Sequence, residues 1–295
     1  MISIIICSVD SKRLDLLKKN IDRTIGVPYE IIVIENSKNL YGICSAYNEG
    51  GKKSIFPFLC FMHEDVMIDT ENWGILVCKY LSNPTIGLIG VAGGDAKSLV
   101  PSSWSVPVYS NEISIIQHCK YTQQEPKKIR TTRNASNSAS SQVVVLDGVW
   151  MCTRKEIFDQ FRFDEKMLKG FHGYDIDFSL QVGSQYKLLV VFDVELHHYS
   201  EGSPGKEWLD ASIAISNKWK QQLPVSIYTD KVLLREHHWR SMQVFLQHLD
   251  RLNINTFLRL RLFLNYSFNS NFHLRRFLSM CKYLLIGRSN GESKN

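Results

Sequence analysis

The residues best equipped for chemistry are His63-Glu64-Asp65, where the apolar run Phe58-Leu59-Cys60-Phe61-Met62 stops abruptly. A run with that ending reads as a buried parallel strand whose carboxyl end opens into a ligand crevice. A carboxylate there can hold a divalent cation, and the cation can hold a diphosphate. An ordinary polar loop after a strand has the same composition, so the reading needs partners from elsewhere in the chain. Asp175 and Asp177 stand in Gly173-Tyr174-Asp175-Ile176-Asp177, and His197-His198 follow another apolar run. Acids supply a base or a metal ligand, and a histidine beyond a sheet strand suits a metal.

These residues need elements to position them. Residues 2–7 read as a buried strand. Leu14, Leu16, Leu17, Ile21 and Ile25 then fall on one helical face until Gly26-Val27-Pro28, and residues 29–34 form a second strand. Strand, helix and strand within about 35 residues make a βαβ unit with parallel strands. Ser8, Asp10, Glu35 and Asn36 then share the carboxyl edge of the sheet, where open α/β sheets bind ligands. A helix over 43–50 leads into the strand at 58–62. A helix over 73–81 ends at Asn83-Pro84, and a strand over 86–91 runs to Gly93-Gly94-Asp95. The adjacent glycines permit close backbone approach, either to something bound or in a plain tight turn.

Residues 101–142 are rich in Ser, Thr, Asn and Gln, with Lys127, Lys128, Arg130 and Arg133 clustered. They read as a mobile loop or short hairpin near the site entrance, its cations solvated or turned to an anionic group. A strand over 143–146 precedes Asp147-Gly148-Val149-Trp150-Met151. Asp175 is placed to cap a helix over 176–182, from which Asp175 and Asp177 point in different directions. Residues 186–192 form a further strand, His197 and His198 lie on a loop after it, and a helix over 207–223 ends at Pro224.

At 295 residues, with 44% hydrophobic and 22% charged side chains, the chain suits about two domains, or one large α/β domain with an appendage. Residues 231–295 hold 11 Lys/Arg and 3 Asp/Glu, a net +8 against +6 for the whole chain. That segment reads as short basic amphipathic helices that pack on the body, on a second subunit as a homo-oligomer, or on an anionic membrane face. Nucleic acid is not expected, since no binding motif accompanies the charge. Seven cysteines without a C-x-x-C pair argue against zinc and a disulfide framework. The start reads as a first strand, not a signal peptide, and no stretch approaches 18 apolar residues. A cytoplasmic location follows, with peripheral contact at the inner face of the membrane open to the basic segment. With no G-x-G-x-x-G after the first strand and no G-x-x-x-x-G-K-S/T, neither a nicotinamide dinucleotide nor a P-loop phosphate site is expected.

Five stretches together resemble the family 2-like glycosyltransferases of the GT-A fold, in particular a bacterial subgroup with an H-D/E-D-V stretch. They are Tyr29-Glu30-Ile31-Ile32-Val33-Ile34-Glu35-Asn36, Ala46-Tyr47-Asn48-Glu49-Gly50, Phe61-Met62-His63-Glu64-Asp65-Val66, Asp147-Gly148-Val149-Trp150-Met151 and Gly173-Tyr174-Asp175-Ile176-Asp177. The resemblance covers residues 1–224. It implies a Rossmann-like α/β domain over 1–224, with a mostly parallel central sheet flanked by helices, and a C-terminal helical appendage over 225–295. It also implies a metal-dependent transfer from a nucleotide sugar to a hydroxyl of a glycan, polysaccharide or glycolipid, in polysaccharide biosynthesis. Asp175 would be the base of an inverting reaction. Asp65 would hold Mn2+ or Mg2+ with His198, His197 being the second choice. Ser8, Glu35, Asn48, Glu64 and Asp65 would bind the donor, and Gly94, Asp95, Trp150 and Asp177 would lie on the acceptor side. Two departures stand out: His63 replaces the first acid of the family's D-x-D motif, and Tyr174 replaces a Glu before the base. With an ordinary pKa of about 3.9, Asp175 is expected to be ionised at neutral pH. A metal-dependent phosphohydrolase or nucleotidyltransferase is an alternative, as is a non-catalytic nucleotide- or glycan-binding or membrane-docked member.

Overall fold

Every second residue of β1 (Ile2–Ser8) goes the same way: Ile2, Ile4 and Ile6 enter one apolar cluster, Ile5 the opposite one. A strand covered on both faces requires that pattern. The structure, a computed structural model, describes residues 1–105, 111–118, 128–133, 137–200, 202 and 204–286. After β1 come α1 (Ser11–Thr24), β2 (Tyr29–Glu35), α2 (Ile43–Lys53), β3 (Phe58–Met62), β4 (Val66–Ile68), α3 (Trp73–Leu81), β5 (Ile86–Gly90), β6 (Ala92–Gly94) and β7 (Ala96–Lys97). Then follow β8 (Asn111–His118), β9 (Lys128–Arg133), β10 (Ser140–Val143), β11 (Val145–Leu146), β12 (Trp150–Arg154), α4 (Lys155–Gln160), α5 (Tyr174–Gly183), β13 (Lys187–Val191) and β14 (Leu196–His198). The chain continues through α6 (Lys206–Lys218), β15 (Val225–Ser226), α7 (Lys231–Arg251), α8 (Thr256–Ser267) and α9 (Leu274–Ile286).

The large sheet has the order β10-β13-β5-β12-β3-β1-β2. β1 pairs in parallel with β2 and β3, β13 pairs in parallel with β5, and β12 runs against both β3 and β5. A mostly parallel sheet is therefore present, with β12 and β10 reversed. Helices cover both faces. Leu14, Leu17 and Ile21 of α1 and Trp73 and Val77 of α3 fill one cluster, while Tyr47 of α2, Phe158 of α4 and Phe178 of α5 fill the other. The Asp10 carboxylate starts α1 by accepting from the Lys12 and Arg13 N–H groups, a cap worth about 1 kcal/mol.

A second sheet has the order β11-β6-β8-β14-β4, with β9 also paired to β8. β8 and β9 form an antiparallel hairpin, the hairpin alternative expected for residues 101–142. The basic cluster at Lys127, Lys128, Arg130 and Arg133 lies outside the described residues as far as its side chains are concerned.

The C-terminal helices are joined to the body by a shared core. Trp239, Met242, Phe245 and Leu246 of α7 and Phe263 of α8 belong to the same apolar cluster as Tyr47 and Phe61. β15 pairs with β7, which places the fully buried Lys97 under α7. The Lys97 ammonium donates to Ser102 Oγ at 2.8 Å, and burial lowers its pKa to about 7. Ser98 Oγ meets His238 Nδ1 at 3.2 Å. No helix among the described residues is long and apolar enough to cross a membrane.

Candidate active site

β3 ends at Met62, and the His63 N–H donates to Val149 O at 3.0 Å, turning the chain out of the sheet at its carboxyl edge. His198 arrives from the second sheet. β14 runs against β4 with His198 opposite Val66, and the Tyr199 N–H donates to Asp65 O at 2.9 Å. The histidines expected on a loop thus lie on a strand, and the ladder sets their distance from Asp65. Asp65 Oδ1 is 3.9 Å from His63 Nδ1 and 3.6 Å from His198 Nε2, and one donor atom from each residue lies within 4.8 Å of the others. Two ligands about 2.1 Å from one ion stand roughly 3–4 Å apart, so the three residues fit a divalent metal.

Each imidazole has its rear nitrogen held. His63 Nε2 bonds the Tyr174 hydroxyl at 2.7 Å, and His198 Nδ1 bonds Gln117 Oε1 at 3.0 Å. Bonds of this kind to the far ring nitrogen fix the tautomer and orientation of metal-binding histidines. Burial, followed by the neighbouring His198, lowers the pKa of His63 and favours the neutral, ligating form. Burial works to raise the Asp65 carboxyl, but His63, the Ser200 hydroxyl and His198 outweigh it, and the net shift is downward. The Arg13 guanidinium, in the first turn of α1, lies 3.9 Å from Asp65 Oδ2.

Asp175 enters through α5. The helix starts at Tyr174 after Gly173, whose φ of 82° is the left-handed conformation glycine favours, so Asp175 is a first-turn residue and not the cap expected of it. Its Oδ2 accepts from the Gly148 N–H at 3.2 Å. Burial, followed by the Asp147 carboxylate, raises its pKa to about 7. Asp175 is therefore only half-ionised at neutral pH, in contrast to the expectation from its ordinary pKa. One hydrogen bond links the neighbours of the two acids: Tyr174, beside Asp175, holds His63, two residues before Asp65.

On the other side of Asp65, Ser8 pairs in register with Glu35 at the sheet edge. Glu64 accepts from the Ser8 hydroxyl at 2.6 Å and from the Val9 and Asp10 N–H groups at 3.1 Å, tying the end of β3 to that of β1. Glu35 is exposed and accepts from the Ser37 N–H at 2.7 Å.

Other expected site residues make contacts within the protein. The buried Asn48 amide spans Phe163 O at 2.9 Å and the Phe163 N–H at 3.1 Å, and its amide also donates to Glu165, so it pins a loop to α2. Trp150 is fully buried, its ring edge-on to Trp73. At Gly94 the chain passes close to Trp104, since a Cβ there would sit 2.4 Å from Trp104 O. Asp95 is buried near Glu112, and its carbonyl takes the Ile227 N–H at 3.0 Å. Asp177 accepts from Lys218, Trp219 and Gln181, anchoring α6. His197, on the face of β14 opposite His198, bonds Asp69 Oδ2 at 2.7 Å and His118 at 2.8 Å.

Sequence reasoning assigned no role to Asp147, Tyr174, Gln117, Arg13 or Phe171. Asp147 carried a usable signal, an acid just past a short apolar strand, as Asp65 is. Phe171 is 50% exposed, with its ring centroid 5.3 Å from that of His63.

The family model described as "Glycosyltransferase like family" matches residues 3–217. Among solved structures, GalNAc-T7 with UDP, GalNAc and Mn2+ aligns with a TM-score of 0.52 at 14% identity, over 92% of this chain and 58% of that one. TarS 1-349 of S. aureus in complex with UDP aligns at 0.48 and 11% identity, over 87% and 74%. The present chain thus spans little more than half the length of the GalNAc-T7 chain. No curated protein matches the sequence. With the match spanning residues 3–217 and a fold in common with the GalNAc-T7 structure, the chain belongs to the glycosyltransferase-like family and has the GT-A fold.

Proposed function

We propose that the protein transfers a sugar from a nucleotide-sugar donor to a hydroxyl of a glycan, polysaccharide or glycolipid, with inversion, and that Asp175 is the base. The observation that carries this reading is the His63–Asp65–His198 cluster, one hydrogen bond away from the helix turn that bears Asp175. UDP is the first donor nucleotide to try, because GalNAc-T7 was crystallised with it.

Asp175, at a pKa of about 7, accepts the acceptor hydroxyl's proton, and a base matched to the working pH is the efficient choice. General-base help of this kind is worth about 10²–10⁴-fold. Arg13 faces the same edge as Asp65 and supplies a fixed positive charge to a donor diphosphate. When bound by His63, Asp65 and His198, a divalent ion adds Lewis-acid stabilisation of the leaving diphosphate. Two imidazoles beside one carboxylate disfavour Mg2+, which takes oxygen ligands, and suit Mn2+ better. Phe171 offers an exposed aromatic face for a sugar ring.

Thermal stability with UDP, in the presence and absence of Mn2+, tests the site, and UDP release from a panel of UDP-sugars tests the chemistry. We expect a Mn2+-dependent rise with UDP that Asp65→Ala loses, and turnover that Asp175→Asn and Asp65→Ala both abolish in folded protein. Full activity in either variant would falsify the assigned roles.

A further inference from the structure

The C-terminal helices carry apolar side chains that the described residues leave largely or partly exposed. Phe257, Leu260, Leu264 and Phe268 follow one another at helical spacing along α8 and just past its end, with Phe257 77% and Phe268 63% exposed. The α9 helix repeats the arrangement with Leu274 at 61% and Leu278 at 56%. Exposed Arg261, Arg275 and Lys282 lie on the same two helices. From residue 251 to 291 the chain has seven Lys/Arg and no Asp/Glu. A helix facing water normally mixes both signs of charge on its outer surface, so a single-signed, leucine- and phenylalanine-bearing face marks an interaction site.

Beside the α9 row, a cleft of about 380 Å³ opens against α7, and Arg235, Glu236, His273, Arg275, Arg276 and Ser279 line it. Glu236 is taken by Arg276. Among the described residues no carboxylate pairs with Arg235 or Arg275, and the Arg235 Nε is buried without a hydrogen-bond partner. Uncompensated guanidinium groups around a concave surface suit a phosphate.

We propose that this face docks on an anionic phospholipid bilayer: the apolar rows of α8 and α9 enter the boundary between headgroups and acyl chains, and the arginine cleft takes a lipid phosphate. Such helices lie in the plane of the interface, so docking needs no spanning helix. Charge selects this occupant over a second copy of the chain. A two-fold contact brings the same patch against itself, which would set Arg261, Arg275 and Lys282 of one copy against those of the other. An anionic bilayer meets both the positive charge and the bare apolar side chains.

Co-sedimentation of the full chain with vesicles tests the proposal, comparing phosphatidylcholine alone with phosphatidylcholine containing about one-third phosphatidylglycerol. We expect binding to the anionic vesicles, at least roughly tenfold weaker binding to neutral ones, and weakening in high salt. Arg235→Gln with Arg275→Gln, and separately Phe257→Ser with Leu264→Ser, should each lower binding roughly tenfold while the melting temperature and turnover of a soluble acceptor stay unchanged. Equal binding to both vesicle types, or full binding by both double variants, would overturn it. So would displacement of the protein from anionic vesicles by millimolar inorganic phosphate at matched ionic strength, which would mark the cleft as a free-phosphate site. A concentration-dependent dimer that Phe257→Ser with Leu264→Ser abolishes, without vesicle binding, would assign the rows to self-association instead.

Discussion

Asp175 holds a carboxyl raised to about 7 by burial and then by the charge of Asp147, so its ionisation falls inside the pH range where the enzyme would work. Transfer should rise with pH up to about 7 and then level off, since only the ionised form accepts the acceptor's proton. Asp147→Asn removes the second contribution. The acid limb of the rate profile should then move to lower pH, and a limb that stays in place would separate it from Asp175. Tyr174 stands one step back from the proposed metal ligands. Tyr174→Phe strips the partner from His63 Nε2, and losses of that kind cost about 10- to 100-fold in metal affinity. Titration calorimetry with Mn2+ on the folded variant measures it, and an unchanged affinity would remove Tyr174 from the metal's support.

At the scale of elements, Asn48 shows why type and order do not reveal a side chain's task. Its amide is buried against the loop at residues 163–165, so Asn48→Ala should cost about 1–3 kcal/mol of stability by denaturant melting and leave Mn2+ affinity intact. Nothing in Ala46-Tyr47-Asn48-Glu49-Gly50 announces that partner, which lies 115 positions away. The large sheet was legible because its strands are apolar runs ending in polar residues, and that signal is local: Ser8 and Glu35 fall at strand ends, and Asp65 lies in the turn just after β3. Trp150 and Gly94 sit beside equally polar turns, yet they face Trp73 of α3 and the Trp104 carbonyl, partners that lie outside those turns. Strands of two or three residues such as β4, β6 and β14 carry too little periodicity to be read from sequence, and two of them fix the distance between Asp65 and His198.

At the scale of the whole molecule, α7 is fastened to the body through polar groups that dislike charge. Burial lowers His237 to about 4, helped by Lys97 and then His238, and burial does the same to His238. Between pH 6.5 and about 4 an unfolded chain binds protons at both rings while the folded one does not, so stability falls as pH falls through that window. The loss should reach a few kcal/mol, and thermal melts across pH 7 to 4 should flatten when both residues become Gln. The basic helices are thus tied to the body where Ser98 Oγ meets His238 Nδ1 of α7.

His197 and His198 are chemically equal neighbours, and only the alternation of β14 decides which of them greets Asp65. The four-residue connector between Val191 and Leu196 therefore works as a selector: shortening or lengthening it by one would swap the two rings between inside and outside. Such a variant would keep its sheets and helices and still lose the pairing of His198 with Asp65, because His197 would leave Asp69 and His198 would leave Gln117.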